Sequence, residues 1–467
     1  MTPWTWPCRT LALLTVTGLG ACAGTKLAHD PAPAVELGTT YKEDALWRRA
    51  AATQAKAVDP DRWWLAFDDP QLDALQQSLA SGNLTLQGLT ARVAAARAAL
   101  AGARAAAGPT VSSSFNATRS DNTSALVRQP TNALSLGIGA SWELDLWGRI
   151  ESGVDAARAN AQAAEADWAA ALLSVQGALT QSYLSLRTTE AAARILDSAI
   201  AAQQRALDLT RARYDAGVTT RADVLQAETL WRATQAQAVE LATQRGQLEH
   251  AIAGLLGRPP ASFSLAAQAE LPRAPSVPPM LPSALLERRP DIAAAERRVV
   301  AARAQFDGAQ AAFFPQLGLS AGAGYRSSEI GQLLRAPSLF WSLGPTLAMA
   351  LLDGGARDAA TRQARAGIDA ATASYRQTVL GALQEVEDNL LLADRLVQQR
   401  ELQQASLQAA RQALLLMDEQ YRAGTVGYLN VVLAQTTVLS SERAVLELRQ
   451  RELSALAQLL KNAGGRW

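Results

Sequence analysis

The chain contains very little cysteine and histidine. Its 467 residues include two cysteines, Cys8 and Cys22, and two histidines, His29 and His250. Both cysteines lie near the N-terminus, so the body of the chain has no disulfide framework. Two histidines cannot by themselves form a metal site, and we expect no bound metal and no cofactor. Because the sequence also has no Walker motif, nucleophile elbow or Cys/His cluster, we do not expect an enzyme.

Net charge, aromatic residues and proline are also scarce. The 44 Lys+Arg nearly balance the 43 Asp+Glu, so the formal charge of +1 gives no reason to expect nucleic acid as a partner. Aromatic residues make up only 5%, while much of the 49% hydrophobic content is alanine, which favours long, closely packed helices. Residues 131–258 and 346–467 contain no proline, so each stretch can hold uninterrupted helix.

The first 21 residues are typical of a secretory signal peptide. One cation, Arg9, precedes the apolar run LALLTVTGLGA, which is too short to span a bilayer. The run ends in LGAC, Leu19 to Cys22, and this pattern resembles the bacterial lipobox. The resemblance implies cleavage before Cys22 and attachment of lipid, including palmitate, to that residue. The alternative is an ordinary signal peptide that is cut at a small-residue site, with Cys22 incidental.

The chain carries an internal repeat at an offset of about 206 residues. ARVAAARAALAGARAAAGP (Ala91 to Pro109) aligns with RRVVAARAQFDGAQAAFFP (Arg297 to Pro315). One residue further out of register, YDAGVTTRADVLQAE (Tyr214 to Glu228) aligns with YRAGTVGYLNVVLAQ (Tyr421 to Gln435). Because Gly, Pro and Tyr keep their places, chance similarity between alanine-rich helices is a poor explanation.

Each repeat has the same predicted order of elements: helix, two strands, long helix, turn, helix. The middle helix has ~66 residues, or ~100 Å at 1.5 Å per residue, and such lengths need coiled-coil packing. We predict helices over 69–107, 149–214 and 221–256 in the first repeat, and over 283–313, 355–421 and 428–461 in the second. We predict strands at about 110–118, 132–145, 316–325 and 340–352.

The segments between the helices alternate between apolar and polar or small residues. NALSLGIGASWELDL and FWSLGPTLAMALLD both have this period of two. A soluble sheet with one face on a core is the alternative, but four strands and such long helices leave no obvious core. An apolar outer face and a polar inner face are typical of a transmembrane β-barrel. Because four strands cannot close a barrel and a membrane tolerates no open edge, the barrel must be shared, and three chains give twelve strands.

Glu143 and Asp145 lie two residues apart, so their side chains face the same side of a strand. A glycosidase-like carboxylate pair is one interpretation. We expect instead that both carboxylates line the lumen of the barrel.

Five motifs resemble one known family. WWLAFDDPQLDAL, SWELDLWGR, LLERRPDIAAAE, AAFFPQLGLSAGAG and WSLGPTLAMALLDGG are similar, in this order, to the outer-membrane efflux lipoproteins of the NodT type, relatives of TolC and OprM. The resemblance covers nearly the whole mature chain. It implies a mainly α-helical chain with a transmembrane β part. In the implied homotrimer, a 12-stranded β-barrel crosses the outer membrane, and a long α-helical barrel with an equatorial domain extends into the periplasm.

The resemblance also gives the expected division of the chain. We expect a signal peptide at 1–21, a lipidated N-terminus and equatorial segment at 22–68, repeat 1 at 69–257, a linker or equatorial segment at 258–282, repeat 2 at 283–461 and a C-terminal tail at 462–467.

The function that the resemblance implies is the exit duct of a tripartite efflux pump, a passive channel involved in multidrug resistance. Its partners are a periplasmic adaptor (membrane fusion) protein, an inner-membrane transporter of the RND type and outer-membrane lipid. The expected location is the outer membrane of a Gram-negative bacterium, with a lipid anchor. Two alternatives stay open: a type I protein-secretion duct of the same fold, and a periplasmic coiled-coil scaffold lipoprotein without a barrel.

The turns between the helix pairs are the predicted functional sites. Gly217 and Gly424 permit sharp turns at the periplasmic ends. By resemblance, the tips contact the adaptor and close the pore at rest. The tip residues are Gly217, Val218, Gly424 and Thr425, and the aperture residues are Asp223, Tyr421 and Asn430.

A specific lock between two aperture residues is also implied. In the family an Asp at the place of Asp223 bonds a Tyr at the place of Tyr421. The alternative is that Asp223 is a solvated residue at a helix N-terminus, where the helix dipole favours a negative charge. Val426 and Asn430 stand where relatives often carry Arg and Asp. Without a ring of carboxylates at Asn430, we expect weak block by divalent cations.

Overall fold

The computed structural model describes residues 40–44, 59–121, 130–268, 270–277 and 288–463. The predicted signal peptide and the lipid site at Cys22 lie outside these residues. In chain order the helices are α1 (Pro70–Gly82), α2 (Leu84–Ala105), α3 (Arg149–Asp215), α4 (Arg221–Leu255), α5 (Pro290–Ala311), α6 (Ala356–Arg422) and α7 (Tyr428–Ala463). The strands are β1 (Thr110–Ser120), β2 (Thr131–Leu144), β3 (Gln316–Ser327) and β4 (Leu339–Ala348).

The order of elements occurs twice, and the long helices α3 and α6 have 67 residues each. The buried side chains of α6 recur at intervals of three and four residues, which is the spacing of coiled-coil packing. They include Tyr375, Val379, Ala382, Val386, Leu390 and Ala393. Within the described ranges, no helix combines the length and the apolar composition that a membrane span requires.

The helix predicted over 69–107 is in fact two helices, and the break lies at Asn83. The backbone of Asn83 is extended, with ψ at 118°. Its side-chain oxygen accepts a hydrogen bond from the amide of Leu86 at 3.0 Å, and its side-chain nitrogen donates to the carbonyl of Leu255 at 2.7 Å. Asparagine thus ends α1 and caps α2, because its short side chain satisfies the free amides of a helix start.

One predicted strand boundary in the second repeat also differs from the structure. β4 ends at Ala348 instead of 352, and the carboxylate of Asp353 then accepts bonds from the amides of Gly355 and Arg357 at 3.0 and 3.2 Å. These bonds form the start of α6 and end the extended chain. In the same repeat, α5 starts at Pro290, where the proline ring suits a first helical position, and residues 283–287 of the predicted helix lie outside the described residues.

One compact unit, which includes Arg97–Asn160 and Arg298–Ala373, contains the sheet. The strands are antiparallel and in the order β1-β2-β3-β4. Below the sheet, the ring of Trp147 stacks on Phe314 with centroids 4.9 Å apart, and its Nε1 donates to the carbonyl of Pro315 at 2.7 Å. Two of the family-like motifs, SWELDLWGR and AAFFPQLGLSAGAG, therefore meet in this unit.

The second unit, which includes Glu36–Ala96, Ala161–Arg297 and Ser374–Trp467, contains a hydrophobic core. This core gathers side chains from the 3₁₀ segment Pro60–Phe67 and from α1, α3, α4, α6 and α7. Its fully buried members include Trp63, Leu72, Leu79, Leu179, Tyr183, Leu184, Ile252, Val386, Leu453 and Leu460.

A buried ionic network lies beside this core. The side chain of Arg187 is 0% exposed and that of Glu190 is 3% exposed, and they form an ion pair at 2.5 Å. Arg245 of α4 binds the other oxygen of Glu190 at 3.0 Å. Arg187 and Arg245 also donate to the carbonyls of Ala266 and Leu265 at 3.1 and 2.7 Å. The network therefore binds the segment around Leu265 and Ala266, which follows α4, to α3 and α4.

Candidate functional sites: the open-edged sheet and the helical tips

The register of the sheet sorts its side chains into two faces. Residues directly opposite in an antiparallel pair share a face, and the faces alternate along each strand. One row across all four strands is Ser112, Gly139, Gly322 and Ser342, and the adjacent row is Ser113, Ile138, Ala323 and Trp341. Most large apolar side chains thus lie on the face of Ile138 and Trp341, whereas the row of Gly139 and Ser342 on the other face is small or hydroxyl-bearing.

The apolar face is exposed in the single chain. Trp341 is 77% exposed, Val111 71% and Leu347 69%, and Phe115 and Ile138 are also exposed. A contiguous apolar patch of this kind on a soluble surface would be unusual and marks contact with lipid or protein.

The sheet also has two unpaired edges. Within the described part of the chain, β1 pairs with β2 alone and β4 pairs with β3 alone. Each edge presents free backbone amides and carbonyls, which require partners if the sheet lies in a membrane.

Glu143 and Asp145 have partners where the second strand joins its helix. Both oxygens of Glu143 accept bonds from the guanidinium of Arg149, at 3.1 and 2.7 Å. The carboxylate of Asp145 accepts a bond from the amide of Glu151 at 2.7 Å, within the first turn of α3. Both carboxylates therefore anchor the start of α3, and their place in a barrel lumen stays a prediction.

The two tips have the same backbone conformation. Gly217 and Gly424 have positive φ angles of 71° and 75°, which glycine adopts without a steric penalty. The amide of Gly217 bonds the carbonyl of Tyr214 at 2.8 Å, and that of Val218 bonds Arg213 at 2.8 Å. The second tip repeats both bonds through Gly424 and Thr425, so α3 and α6 end in Schellman motifs.

Asp223 lies in the first turn of α4, in a capping box. Its Oδ2 accepts bonds from the hydroxyl of Thr219 at 2.6 Å, and from the amide and hydroxyl of Thr220 at 3.0 and 2.8 Å. The hydroxyl of Thr220 in turn accepts the amide of Asp223 at 3.3 Å. The bond from Thr219 is the main cause that holds the pKa of Asp223 below its ordinary value, with Thr220 adding to it against partial burial.

Tyr421 is buried in a small cluster between the two tips. Its ring lies 5.2 Å from that of Tyr428, and both belong to a core with Leu207, Ala227 and Val431. Burial of Tyr428 is the main cause that raises the pKa of its hydroxyl to about 12, and the nearby Tyr421 adds to the shift.

The expected bond between Asp223 and Tyr421 is absent from the described residues. The hydroxyl of Tyr421 lies 3.5 Å from that of Thr210, and Asp223 is occupied by its own capping box. Asp223 bonds locally because two threonine hydroxyls lie within four residues of it. The alternative interpretation, a residue of the helix N-terminus, fits this arrangement.

Sequence reasoning missed Arg213, which connects the tips. Its Nη1 donates to the backbone carbonyl of Tyr421 at 2.9 Å, and its Nη2 donates to that of Arg422 at 3.3 Å. The guanidinium carbon also lies 4.6 Å from the centroid of the Tyr421 ring. Asn430, by contrast, is exposed one turn into α7. The local sequence gave no signal for the contact between Arg213 and Tyr421, because these residues are 208 positions apart.

Comparison with known proteins identifies the class. The family model described as outer membrane efflux protein matches residues 75–258 and again residues 281–465. The chain therefore belongs to the outer membrane efflux protein family.

Individual relatives match over nearly their whole length. The pyoverdine export outer membrane protein OpmQ of Pseudomonas aeruginosa is 31% identical over 96% of this chain and 95% of its own. The outer membrane protein OprJ of the same species is 30% identical over 98% and 95%. The solved structure of the outer-membrane channel OprN superposes with a TM-score of 0.86 at 31% identity, covering 93% of this chain and 99% of OprN.

Proposed function

We propose that the chain is the outer-membrane exit duct of a tripartite efflux pump. The observation that carries the proposal is the sheet, which has an exposed apolar face and two open edges. Because a membrane tolerates no open edge, β1 of one copy pairs with β4 of the next. Three copies of a four-stranded sheet make twelve strands, which suffices for a closed barrel with the apolar face toward lipid.

The duct is passive, and small molecules such as drugs pass through it from the periplasm to the exterior. Support for an export role comes from the relatives: OpmQ is named for pyoverdine export and OprN for an outer-membrane channel. Energy comes from an inner-membrane transporter of the RND type, which a periplasmic adaptor joins to the duct. The chain itself performs no catalytic step.

The predicted site residues take their roles within this duct. The tips at Gly217, Val218, Gly424 and Thr425 contact the adaptor, and their shared Schellman geometry gives that partner six equivalent turns in a trimer. The aperture lies beside Asp223, Tyr421 and Asn430. Cys22 carries the lipid anchor, and Glu143 and Asp145 lie near the periplasmic end of the lumen.

The proposal is tested by reconstitution of the purified full-length protein in planar bilayers and by replacement of Cys22. A duct gives discrete conductance steps, and the Cys22→Ser variant stays in the outer membrane because the barrel holds it there. A scaffold lipoprotein would give no conductance and would become soluble when Cys22 is replaced.

A second arm distinguishes efflux from protein secretion. Deletion of the gene should increase susceptibility in a panel of drugs and metal salts, and co-purification should recover a periplasmic adaptor. Unchanged susceptibility, together with loss of one secreted protein from the medium, would contradict the efflux proposal in favour of a type I secretion duct.

A further inference from the structure

Arg213 connects the ends of two helices that belong to different repeats. It lies in the last turn of α3, where it is half-buried, and the residues it contacts form the last turn of α6. Its two terminal nitrogens donate to the carbonyls of Tyr421 and Arg422 at 2.9 and 3.3 Å. These donors lie in the fixed fork of one guanidinium, so both bonds depend on one relative position of the two helix ends.

The chemistry of these carbonyls suits a cation. The last four carbonyls of a helix have no partner within the helix, and the helix dipole places partial negative charge there. In the Schellman motif of α6, the carbonyl of Tyr421 already accepts the amide of Gly424 at 3.0 Å. Arg213 adds a second bond to that carbonyl and a bond to the carbonyl of Arg422.

The aromatic cluster holds the guanidinium in place. The guanidinium carbon lies 4.6 Å from the centroid of the Tyr421 ring, and Tyr421 and Tyr428 are both buried. A cation over an aromatic ring is attracted to the electron-rich face, and burial strengthens the attraction. Two of the three contacts of this side chain therefore involve Tyr421, through its carbonyl and its ring, and the third involves the carbonyl of Arg422.

Among the described residues, the contact between Arg213 and Tyr421 has no counterpart with the two repeats exchanged. In the internal repeat, Arg213 corresponds to Gln420 and Tyr421 corresponds to Tyr214. Tyr214 is 43% exposed, whereas Tyr421 is 6% exposed. The side chain that connects the tips thus belongs to the first repeat, and the second repeat supplies the acceptors.

We propose that Arg213 is the positioning residue that ties the two helical tips of each chain together and keeps the periplasmic aperture narrow at rest. The inference rests on the proposed duct function. It replaces the hydrogen bond between Asp223 and Tyr421 with a contact made by the guanidinium, the backbone of α6 and the face of the Tyr421 ring. Opening of the aperture requires the last turns of α3 and α6 to separate, which breaks these contacts.

The test compares the bilayer conductance of the wild-type trimer with that of four variants. Arg213→Gln places in the first repeat the residue that the second repeat has, and Arg213→Lys keeps the charge but has no fork. Arg211→Gln is the matched control, since it removes the same charge two residues away, from an exposed pair with Glu228 at 3.4 Å. Tyr421→Phe removes the hydroxyl and leaves the ring and the carbonyl.

We expect Arg213→Gln to raise the mean single-channel conductance at least twofold and Arg213→Lys to give an intermediate value. Arg211→Gln should resemble the wild type, and Tyr421→Phe, which keeps the ring and the carbonyl that Arg213 contacts, should raise the conductance by less than Arg213→Gln does. In cells, Arg213→Gln should lower the inhibitory concentration of an antibiotic too large for general porins at least fourfold. Helical circular dichroism and the heat-resistant trimer on gels should be unchanged, which separates a loosened aperture from a misfolded protein.

Three results would overturn the proposal. The first is a wild-type conductance for Arg213→Gln, and the second is an equal rise for Arg211→Gln, which would indicate a general effect of charge. The third is a rise for Tyr421→Phe as large as that for Arg213→Gln, which would assign the closed state to the hydroxyl. If Arg213→Gln does not assemble, Arg213→Lys is the deciding variant. A conductance above that of the wild type supports the proposal, and a conductance equal to that of the wild type refutes it. Absence of conductance from the wild type and from every variant would refute the duct itself.

Discussion

Two backbone segments touch at Gly82 and Gly257, and replacement of Gly257 by alanine should destabilise the protein by ~2–5 kcal/mol. Gly257 has a φ of 66°, where an L-residue with a Cβ costs ~1–2 kcal/mol. The added Cβ would also lie 2.1 Å from the carbonyl oxygen of Gly82, so the backbone has to move. Overpacking of this kind costs ~1–3 kcal/mol, and the two penalties add because the first arises within the residue's own backbone and the second against the carbonyl of Gly82.

Three further glycines separate the two penalties. Gly82→Ala has the steric clash alone, with its Cβ 2.3 Å from the carbonyl of Leu256, and should cost ~1–3 kcal/mol. Gly217→Ala has the positive φ of 71° alone and open space around its Cβ, and should cost ~1–2 kcal/mol. Gly88→Ala has neither, and should stabilise α2 by ~0.5–1 kcal/mol because alanine is the better helix former.

The assay is the midpoint of thermal loss of helical circular dichroism at one fixed scan rate, with detergent and protein concentration held constant. An unfolding entropy of ~2.1 cal/mol/K per residue gives a shift of ~1 °C per kcal/mol for a cooperative unit of this size. Gly257→Ala should therefore lower the midpoint by ~2–5 °C, more than Gly82→Ala or Gly217→Ala. A midpoint for Gly257→Ala equal to that of Gly88→Ala would refute the reasoning.

Three other predictions follow from the same structure. The pKa of Asp223 is lowered, so its ionised form stabilises the tip, fully above about pH 4 and less as the pH falls through the folded-state value. The hydrogen-exchange protection factors of amides in the first turn of α4, corrected for the intrinsic exchange rate at each pH, should therefore fall in acid, and this fall should be absent in Asp223→Asn. Glu190→Ala leaves Arg187 buried without a carboxylate and should cost ~3–5 kcal/mol by denaturant unfolding, whereas Asp369→Ala, from an exposed pair, should cost below ~1 kcal/mol. Asn83→Ala removes a helix cap and should cost ~1–2 kcal/mol in the same assay.

The period of two in the strands predicted the sheet well, because a sheet that faces two different environments needs that alternation on every strand. The row that contains Ile138 and Trp341 is apolar for this reason, and the register of the structure places the two side chains on one face. The break at Asn83 was missed, although asparagine between two helical segments is a typical N-cap. An alanine-rich sequence has so strong a helix pattern that one cap residue is easily overlooked.

Charged residues near element ends were harder to assign from the pattern. Alternation along the predicted strand 132–145 indicates that Glu143 and Asp145 share a face, but β2 ends at Leu144, and the alternation does not give the partners of either carboxylate. Arg149 follows Glu143 by six residues and binds it only because the chain turns between β2 and α3. The partner of a side chain at a strand–helix junction therefore depends on the path of the turn, and the alternation along a strand does not predict that path.

Asp223 had two interpretations, a bond to Tyr421 and a place at a helix N-terminus, and the structure favours the second for a physical reason. The capping box is local: Thr220 and Asp223 stand three residues apart, so the helix start brings them together at little entropic cost. A bond from Asp223 to Tyr421 must compete with that local bond for the same carboxylate oxygen. Arg213 has no such competition, because its guanidinium has five donors and the carbonyl of Arg422 lies beyond the bonds of its own helix. In this chain the long-range connection between the tips therefore uses backbone carbonyls at the end of α6: that of Tyr421, which has a second lone pair beside its bond from Gly424, and that of Arg422.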